Sequence, residues 1–140
     1  MVKIVFILMF SVFALFGADI KWEKDYASAL KRSKALHKPM MFIISNHHCH
    51  FCVQFETTTL KDPKVVQKLN ADYVSAIVFI DENPLFPREL AVGGTPGTWF
   101  LKSNGEPMFE PVMGAIDAEN FLNALDIVKK EYSKSTPKSN

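Results

Sequence analysis

The sequence predicts an α/β domain in which a mixed central β-sheet carries helices on both faces, and three observations support this class. Two continuous apolar runs, at residues 40–44 and 73–80, are typical of strands buried on both faces. Helical patterns lie between these runs, so the connection is a crossover and the two strands should be parallel. An Asn-Gly pair at residues 104–105 separates two further strand-like segments and indicates an antiparallel hairpin.

The first 18 residues are predicted to be a signal peptide that precedes the folded domain. Lys3 is their only charge, and the apolar run at 4–16 is followed by the small residues Gly17 and Ala18. As a helix this run would reach about 20 Å, which is shorter than the roughly 30 Å hydrocarbon core of a bilayer. We therefore expect export to the periplasm, with an uncleaved signal anchor as the alternative.

The charge balance of the remaining chain excludes some classes of partner. Of the 16 basic residues only Lys3 lies in the leader, so the rest of the chain has 15 basic and 15 acidic residues. This balance gives no electrostatic reason to expect binding to nucleic acid or to an anionic membrane. The sequence contains no basis for a nucleotide, flavin or haem cofactor and no oligomerisation signal, so we expect a monomer without a cofactor.

The first half of the domain follows from local patterns. Pro39 ends the first helical pattern, which has one buried face. Asp62 and Pro63 are typical of an N-cap and of the first position of a helix. The predicted elements are a helix at 25–36, a strand at 40–44, a helix beginning at the 47–52 motif, a helix at 63–69 and a strand at 73–80.

The second half begins with two segments that exclude regular structure. Prolines interrupt residues 81–87, and residues 93–97 read Gly-Gly-Thr-Pro-Gly, which fits neither a helix nor a central strand. Asp117 is predicted to cap the last helix, and the domain is predicted to end at residue 132. The other predicted elements are hairpin strands at 98–102 and 108–113, an apolar stripe of Phe121, Leu122, Leu125 and Val128 in the last helix, and a disordered tail at 133–140.

Cys49 and Cys52 are the only cysteines, and they form a Cys-x-x-Cys pair at a strand-to-helix junction. A domain of this size can bury a core without cross-links, so the pair is not needed as a scaffold. At a helix N-terminus the first thiol has a lowered pKa, which makes Cys49 the predicted nucleophile and Cys52 the predicted resolving thiol. His50, between them, could add positive charge beside the thiolate and make the pair more oxidising.

The main alternative for this motif is a copper- or zinc-binding module or metallochaperone that uses Cys49, Cys52 and one neighbouring histidine. His47, His48 and His50 lie within six residues of both cysteines, and copper or zinc takes such ligands. No further cysteine exists to complete a structural zinc site. We expect His47 and His48 to be exposed loop residues and assign no residue to a metal. A permanent structural disulfide in a non-catalytic domain is a third interpretation.

Three motifs, in order, resemble the thioredoxin superfamily, and specifically its small periplasmic thioredoxin-like proteins. They are Lys38-Pro39, Cys49-His50-Phe51-Cys52 and Gly94-Thr95-Pro96, within a resemblance that spans residues 22–132. The resemblance implies a thioredoxin-like fold in which Pro96 is a cis-proline beside the cysteine pair. It also implies that the backbone of Thr95 pairs with an extended substrate segment.

The motif departs from the family pattern in three ways. His48 replaces the tryptophan that commonly precedes the first cysteine, and Ile43 occupies the position of the buried acid of thioredoxin. The dipeptide His50-Phe51 matches none of the common signatures for a reductase, an oxidase or an isomerase. Electron flow is therefore open, with reduction slightly favoured by analogy with small periplasmic relatives.

The resulting hypothesis is an exported thiol–disulfide oxidoreductase that exchanges disulfides with cysteine-containing exported proteins and is recycled by a redox partner. Phe51 and Trp99 could supply an apolar surface for such partners, although Trp99 within a strand is more often a core residue.

Overall fold

A computed structural model describes residues 18–136, so the predicted signal peptide lies outside the described residues except for Ala18. Short 3₁₀ turns occur at Thr59–Lys61, Ile80–Glu82 and Arg88–Leu90. The strands are β1 (Trp22–Glu23), β2 (Met40–Ser45), β3 (Val74–Phe79), β4 (Gly97–Leu101) and β5 (Val112–Met113). The helices are α1 (Tyr26–Leu36), α2 (His50–Thr57), α3 (Pro63–Asp72) and α4 (Ala118–Ser135).

The five strands form one mixed sheet in the order β1-β3-β2-β4-β5. β2 is parallel to β3, with Met40 opposite Val74, and antiparallel to β4, with Ile44 opposite Gly97. Every residue of β2 is buried, as its continuous apolar run predicts. The predicted mixed sheet is therefore confirmed, and its central strand leads directly to the cysteine motif.

Both edges of the sheet differ from the prediction. β1, which pairs with β3, was not predicted because two residues are too short for any periodicity. β5 was predicted at 108–113 but contains only Val112 and Met113. Nearer the turn, an isolated antiparallel bridge joins Leu101 to Pro107, and Pro111, which has no N–H to donate to the ladder, lies between this bridge and β5.

The core is split between the two faces of the sheet. Alternate residues of β2 point to opposite faces, so Met41 and Ile43 join one cluster while Phe42 and Ile44 join the other. Helices α2, α3 and α4 cover the first face, and α1 covers the second. Helices on both faces of the sheet were predicted. Within residues 18–136, no helix has the length and apolar character that crossing a membrane requires.

The helix starts follow the predicted caps, whereas the end of α4 does not follow the prediction. The Asp62 carboxylate accepts hydrogen bonds from the Lys64 and Val65 N–H groups, and Asp117 caps α4. The disordered tail was predicted from residue 133, but α4 continues through Ser135, so the prediction is wrong for 133–135. Tyr132 is buried and holds this last turn on the core. Residues 137–140 of the predicted tail lie outside the described part of the chain.

Candidate active site

The cysteine motif lies where β2 passes into α2, and Cys49 is the N-cap residue of α2. Its Sγ accepts a hydrogen bond from the Cys52 N–H at 3.2 Å. Cys49 ends a short turn, in which its N–H donates a hydrogen bond to the Asn46 carbonyl at 3.2 Å. A sulfur at this position faces unsatisfied N–H groups and the positive end of the helix dipole, which stabilise a thiolate. The predicted helix start at the motif is confirmed.

The two thiols are free and have different surroundings. Cys49 is partly exposed and Cys52 is fully buried. Partial burial opposes ionisation of Cys49, but hydrogen bonds with Cys52, Thr95 and nearby backbone N–H groups outweigh it and lower the pKa of this thiol. Burial raises the pKa of the Cys52 thiol, and its hydrogen bond with Cys49 raises it further. The site therefore pairs a partly exposed thiol of lowered pKa with a buried thiol of raised pKa.

The Thr95-Pro96 segment lies directly beside the pair. β4 runs antiparallel to β2, so the start of β4 and the end of β2 meet at one edge of the sheet. The Thr95–Pro96 peptide bond is cis, and the Cys49 Sγ lies 3.4 Å from the Thr95 carbonyl oxygen. The Pro96 carbonyl accepts a hydrogen bond from the Gly114 N–H at 2.8 Å, which ties the segment to β5. The cis peptide bond expected at Pro96 is present, and the role of Thr95 and Pro96 in substrate binding stays a prediction.

His50 and Phe51 are exposed on the first turn of α2. Their rings meet edge to face with centroids 5.6 Å apart, and Phe51 is 60% exposed. The hydrogen bonds that lower the pKa of Cys49 come from other residues, so the tuning role of His50 stays a prediction. Trp99 is buried and donates a hydrogen bond to the Leu90 carbonyl at 2.7 Å, so it is a core residue and does not contribute to a partner surface.

His47 has an ordered environment that the sequence did not predict. Its ring stacks on Phe79 with centroids 3.8 Å apart, and Nδ1 lies 2.9 Å from Asp81 Oδ2. The same carboxylate accepts the His47 backbone N–H at 3.2 Å. The hydrogen bond with Asp81 raises the pKa of His47 and lowers that of Asp81. The contacts of His47 with Phe79 and Asp81 therefore hold the turn before Cys49 against the end of β3 and the residues that follow it.

The metal alternative receives no support from the side-chain arrangement. Among residues 18–136, no group of three or more His, Cys, Asp or Glu side chains converges as metal ligands would. His47 faces Asp81 and Glu82.

Two functional candidates, Ser45 and Glu56, were missed by the sequence analysis. The Ser45 hydroxyl donates a hydrogen bond to Glu56 Oε2 at 2.9 Å, and hydrogen bonding from Ser45 lowers the pKa of the Cys52 thiol, against the larger effect of burial. Glu56 follows Cys52 by one helical turn, and this spacing on α2 is the signal that could have identified it.

The comparisons with known proteins agree with this fold. A family model described as a thioredoxin-like domain matches residues 26–129. A thioredoxin from Thermus thermophilus is 32% identical, with 79% of this chain and 88% of that chain covered and a TM-score of 0.66. The structure described as DsbH oxidoreductase has the same TM-score at 19% identity, with 81% and 87% covered. The reduced C-terminal domain of Neisseria meningitidis DsbD is 23% identical, with 72% and 91% covered and a TM-score of 0.59. No curated protein has a significant match to the chain.

Proposed function

The chain belongs to the thioredoxin superfamily, and we propose that it is an exported oxidoreductase that exchanges disulfides with protein thiols. The fold and the Cys-x-x-Cys pair support thiol–disulfide oxidoreductase activity in general. Cys49 is the nucleophile and Cys52 the resolving thiol. The observation that carries this assignment is the contrast between the two thiols, since Cys49 is partly exposed with a lowered pKa and Cys52 is fully buried with a raised pKa.

The reaction proceeds in two exchanges. The Cys49 thiolate attacks one sulfur of a substrate disulfide, forms a mixed disulfide and releases the other substrate sulfur as a thiolate. Cys52 then loses its proton and attacks Cys49 Sγ, which releases the second substrate thiolate and closes the Cys49–Cys52 disulfide. Two electrons pass from the pair to the substrate, and oxidation of a substrate would follow the same steps in reverse.

Substrate docking is assigned to the surface around Cys49. An extended substrate segment would pair with the Thr95 backbone, as in strand addition, and would pass beside Pro96. Phe51, at 60% exposure, offers an apolar contact on the first turn of α2.

The proposal also covers the cellular location of the protein, the direction of electron flow and its partner proteins. The leader pattern at residues 1–18 supports export to the periplasm, where thiols are not held reduced by a glutathione pool. The substrates are cysteine-containing exported proteins, and a second protein restores the working redox state of the pair. Reduction of substrates is slightly favoured, and the chain acts as a monomer.

Trapping of the mixed disulfide tests the assignment of the two cysteines. When the reduced protein meets glutathione disulfide, the wild type should finish as the internal disulfide. Cys52→Ser should stop at a Cys49–glutathione adduct because no thiol resolves it, and Cys49→Ser should form neither product rapidly. Mass spectrometry with cysteine mapping distinguishes these products. An adduct that forms on Cys52 as fast as on Cys49 would contradict the assignment.

A further inference from the structure

The buried resolving thiol requires a route for its proton. Cys52 is fully buried, and burial is the main reason for its raised pKa. It must nevertheless become a thiolate before it can attack Cys49. Ile43, at the position where thioredoxin has a buried acid, is itself fully buried and apolar and cannot accept a proton. The proton must therefore pass to water or to a group on another element.

Ser45 and Glu56 are placed to supply such a group. Ser45 is the last residue of β2 and is fully buried against α2. Cys52 and Glu56 are one turn apart on α2, so their side chains lie on the same face of the helix. The Ser45 hydroxyl donates a hydrogen bond to the carboxylate of Glu56 at 2.9 Å, and hydrogen bonding from Ser45 lowers the pKa of the Cys52 thiol.

Glu56 connects this buried pair to the outside of the molecule. Its side chain is partly exposed and borders a cleft of about 210 Å³. The remaining lining of the cleft is apolar apart from Lys61, and Lys61 forms an ion pair with Asp19 at 2.7 Å. A proton that reaches Glu56 can therefore pass to water in the cleft without crossing the substrate side of Cys49. The other cleft residues are Ile20, Trp22, Leu60, Ile77 and Phe79.

We propose that Ser45 and Glu56 form a proton relay for Cys52, an inference that rests on the exchange function proposed above. The Cys52 thiol gives its proton to the Ser45 hydroxyl oxygen while the Ser45 hydroxyl proton moves to the Glu56 carboxylate. The result is a Cys52 thiolate, an unchanged Ser45 hydroxyl and a protonated Glu56, which then releases its proton to water. Reversal of these steps returns a proton to Cys52 when the pair is reduced. Glu56 acts through Ser45 and touches no substrate.

The two steps of exchange can be measured separately with equimolar dithiobis(nitrobenzoate). Attack by Cys49 releases one thionitrobenzoate, and resolution by Cys52 releases the second. Glu56→Gln keeps an acceptor for the Ser45 hydroxyl but removes the base, so its second phase should slow by at least about 10-fold at neutral pH, as loss of a general base does. Its first phase should stay within about twofold, because Cys49 does not depend on this base.

The pH dependence of the second-phase rate distinguishes a proton relay from a Ser45–Glu56 hydrogen bond that only stabilises the fold. The second phase of Glu56→Gln should recover towards the wild-type rate as pH rises, since hydroxide then deprotonates Cys52 directly. The matched control is Glu82→Gln, which removes a carboxylate that faces His47 at 3.7 Å while Glu56 stays intact. It should leave both phases unchanged.

The charged or titratable groups around Glu56 are Cys52, Lys61, Asp19 and His47, with Asp81 and Glu82 beyond His47.

Ser45→Ala gives an independent variant. It should slow the second phase as Glu56→Gln does, and the double variant should be no slower than the slower single one. An unchanged second phase in either folded single variant, or equal slowing of both phases, would overturn the relay. Circular dichroism identifies a variant that fails to fold, in which case the other variant decides. If the wild type shows no rapid first phase, the exchange function itself fails.

Discussion

Cys49 and Cys52 are the same residue type one helical turn apart, yet their environments give them opposite acidity. Cys49 is at the helix N-terminus, partly exposed, with hydrogen bonds that favour its thiolate. Cys52 points inward, where burial favours the thiol. The spacing in the sequence predicts these two roles because the helix itself imposes the difference. It does not predict the contacts with Thr95, which arrive from a distant part of the chain.

At the residue scale, the His47–Asp81 pair should make stability depend on pH. The raised pKa of His47 means that its contribution is fully present below the unfolded-state value of about 6.5 and is lost as pH rises through the folded-state value. The lowered pKa of Asp81 means that its contribution is present above about 3.9 and is lost as pH falls through its folded-state value. The pair therefore stabilises most between about pH 4 and pH 6.5.

His47→Gln tests this dependence by thermal unfolding. The wild type should exceed the variant in Tm by more near pH 5 than near pH 8.5, because the charged pair is lost as pH rises. His48→Gln is the matched control, since it leaves the His47–Asp81 pair intact. A difference between wild type and His47→Gln that stays constant or grows with pH would contradict the predicted ion pair.

At the element scale, the site exists because two neighbouring strands bring distant segments to one edge of the sheet. β2 ends at the cysteine turn, and β4 begins immediately after Pro96. Glycine at position 97 leaves room for the Val92 side chain, since a Cβ there would lie 2.9 Å from Val92 Cγ1. The hairpin after β4 turns at Gly105, where the chain folds back towards β5.

Gly105 is the position in this hairpin that most requires glycine. Its φ is +91°, and a Cβ there would lie 3.0 Å from Tyr26 Oη and 3.2 Å from Leu30 Cδ1. Gly105→Ala should therefore destabilise the protein by about 1–3 kcal/mol through backbone strain and crowding against α1. Urea unfolding measures this loss.

Gly93→Ala is the matched control, because nothing lies within 4 Å of a Cβ at that position. It should change the free energy of unfolding by less than about 0.5 kcal/mol. Equal effects of the two substitutions would show that neither φ nor crowding matters at Gly105.

The sequence predicted the elements whose signals are local and missed those that depend on neighbours. β2 and the caps at Asp62 and Asp117 are encoded in a few adjacent residues. β1 is only two residues long and exists because β3 lies beside it. The last turn of α4 was missed because it is held by the burial of Tyr132, although the residues after it are polar.

The same distinction applies to the site. The Cys-x-x-Cys spacing and the Gly-Thr-Pro motif are visible in the sequence, and the structure brings Cys49 and Thr95 together. The Ser45–Glu56 bond joins a strand to a helix, and no periodicity reports it. Asp81 follows β3 and meets His47 only through the parallel pairing of β2 and β3.

At the scale of the whole molecule, the fold does not need a disulfide. Two apolar clusters cover both faces of the sheet, and both thiols are free in a fully formed structure. The two apolar clusters form without a Cys49–Cys52 disulfide, so the proposed cycling between thiol and disulfide would leave the core intact. The proposed exchange function requires this property, whereas a permanent structural disulfide does not.

The reduction potential of the Cys49–Cys52 couple tests the proposed exchange function most directly. It is measured by equilibration of the wild type against defined glutathione or dithiothreitol ratios, with the thiols quantified by alkylation. Catalytic pairs lie between roughly −270 and −120 mV, whereas structural disulfides lie below about −300 mV. We expect a value inside the catalytic range, and a value nearer its lower limit would agree with the preference for reduction of substrates. A value below about −300 mV would contradict the proposed exchange function.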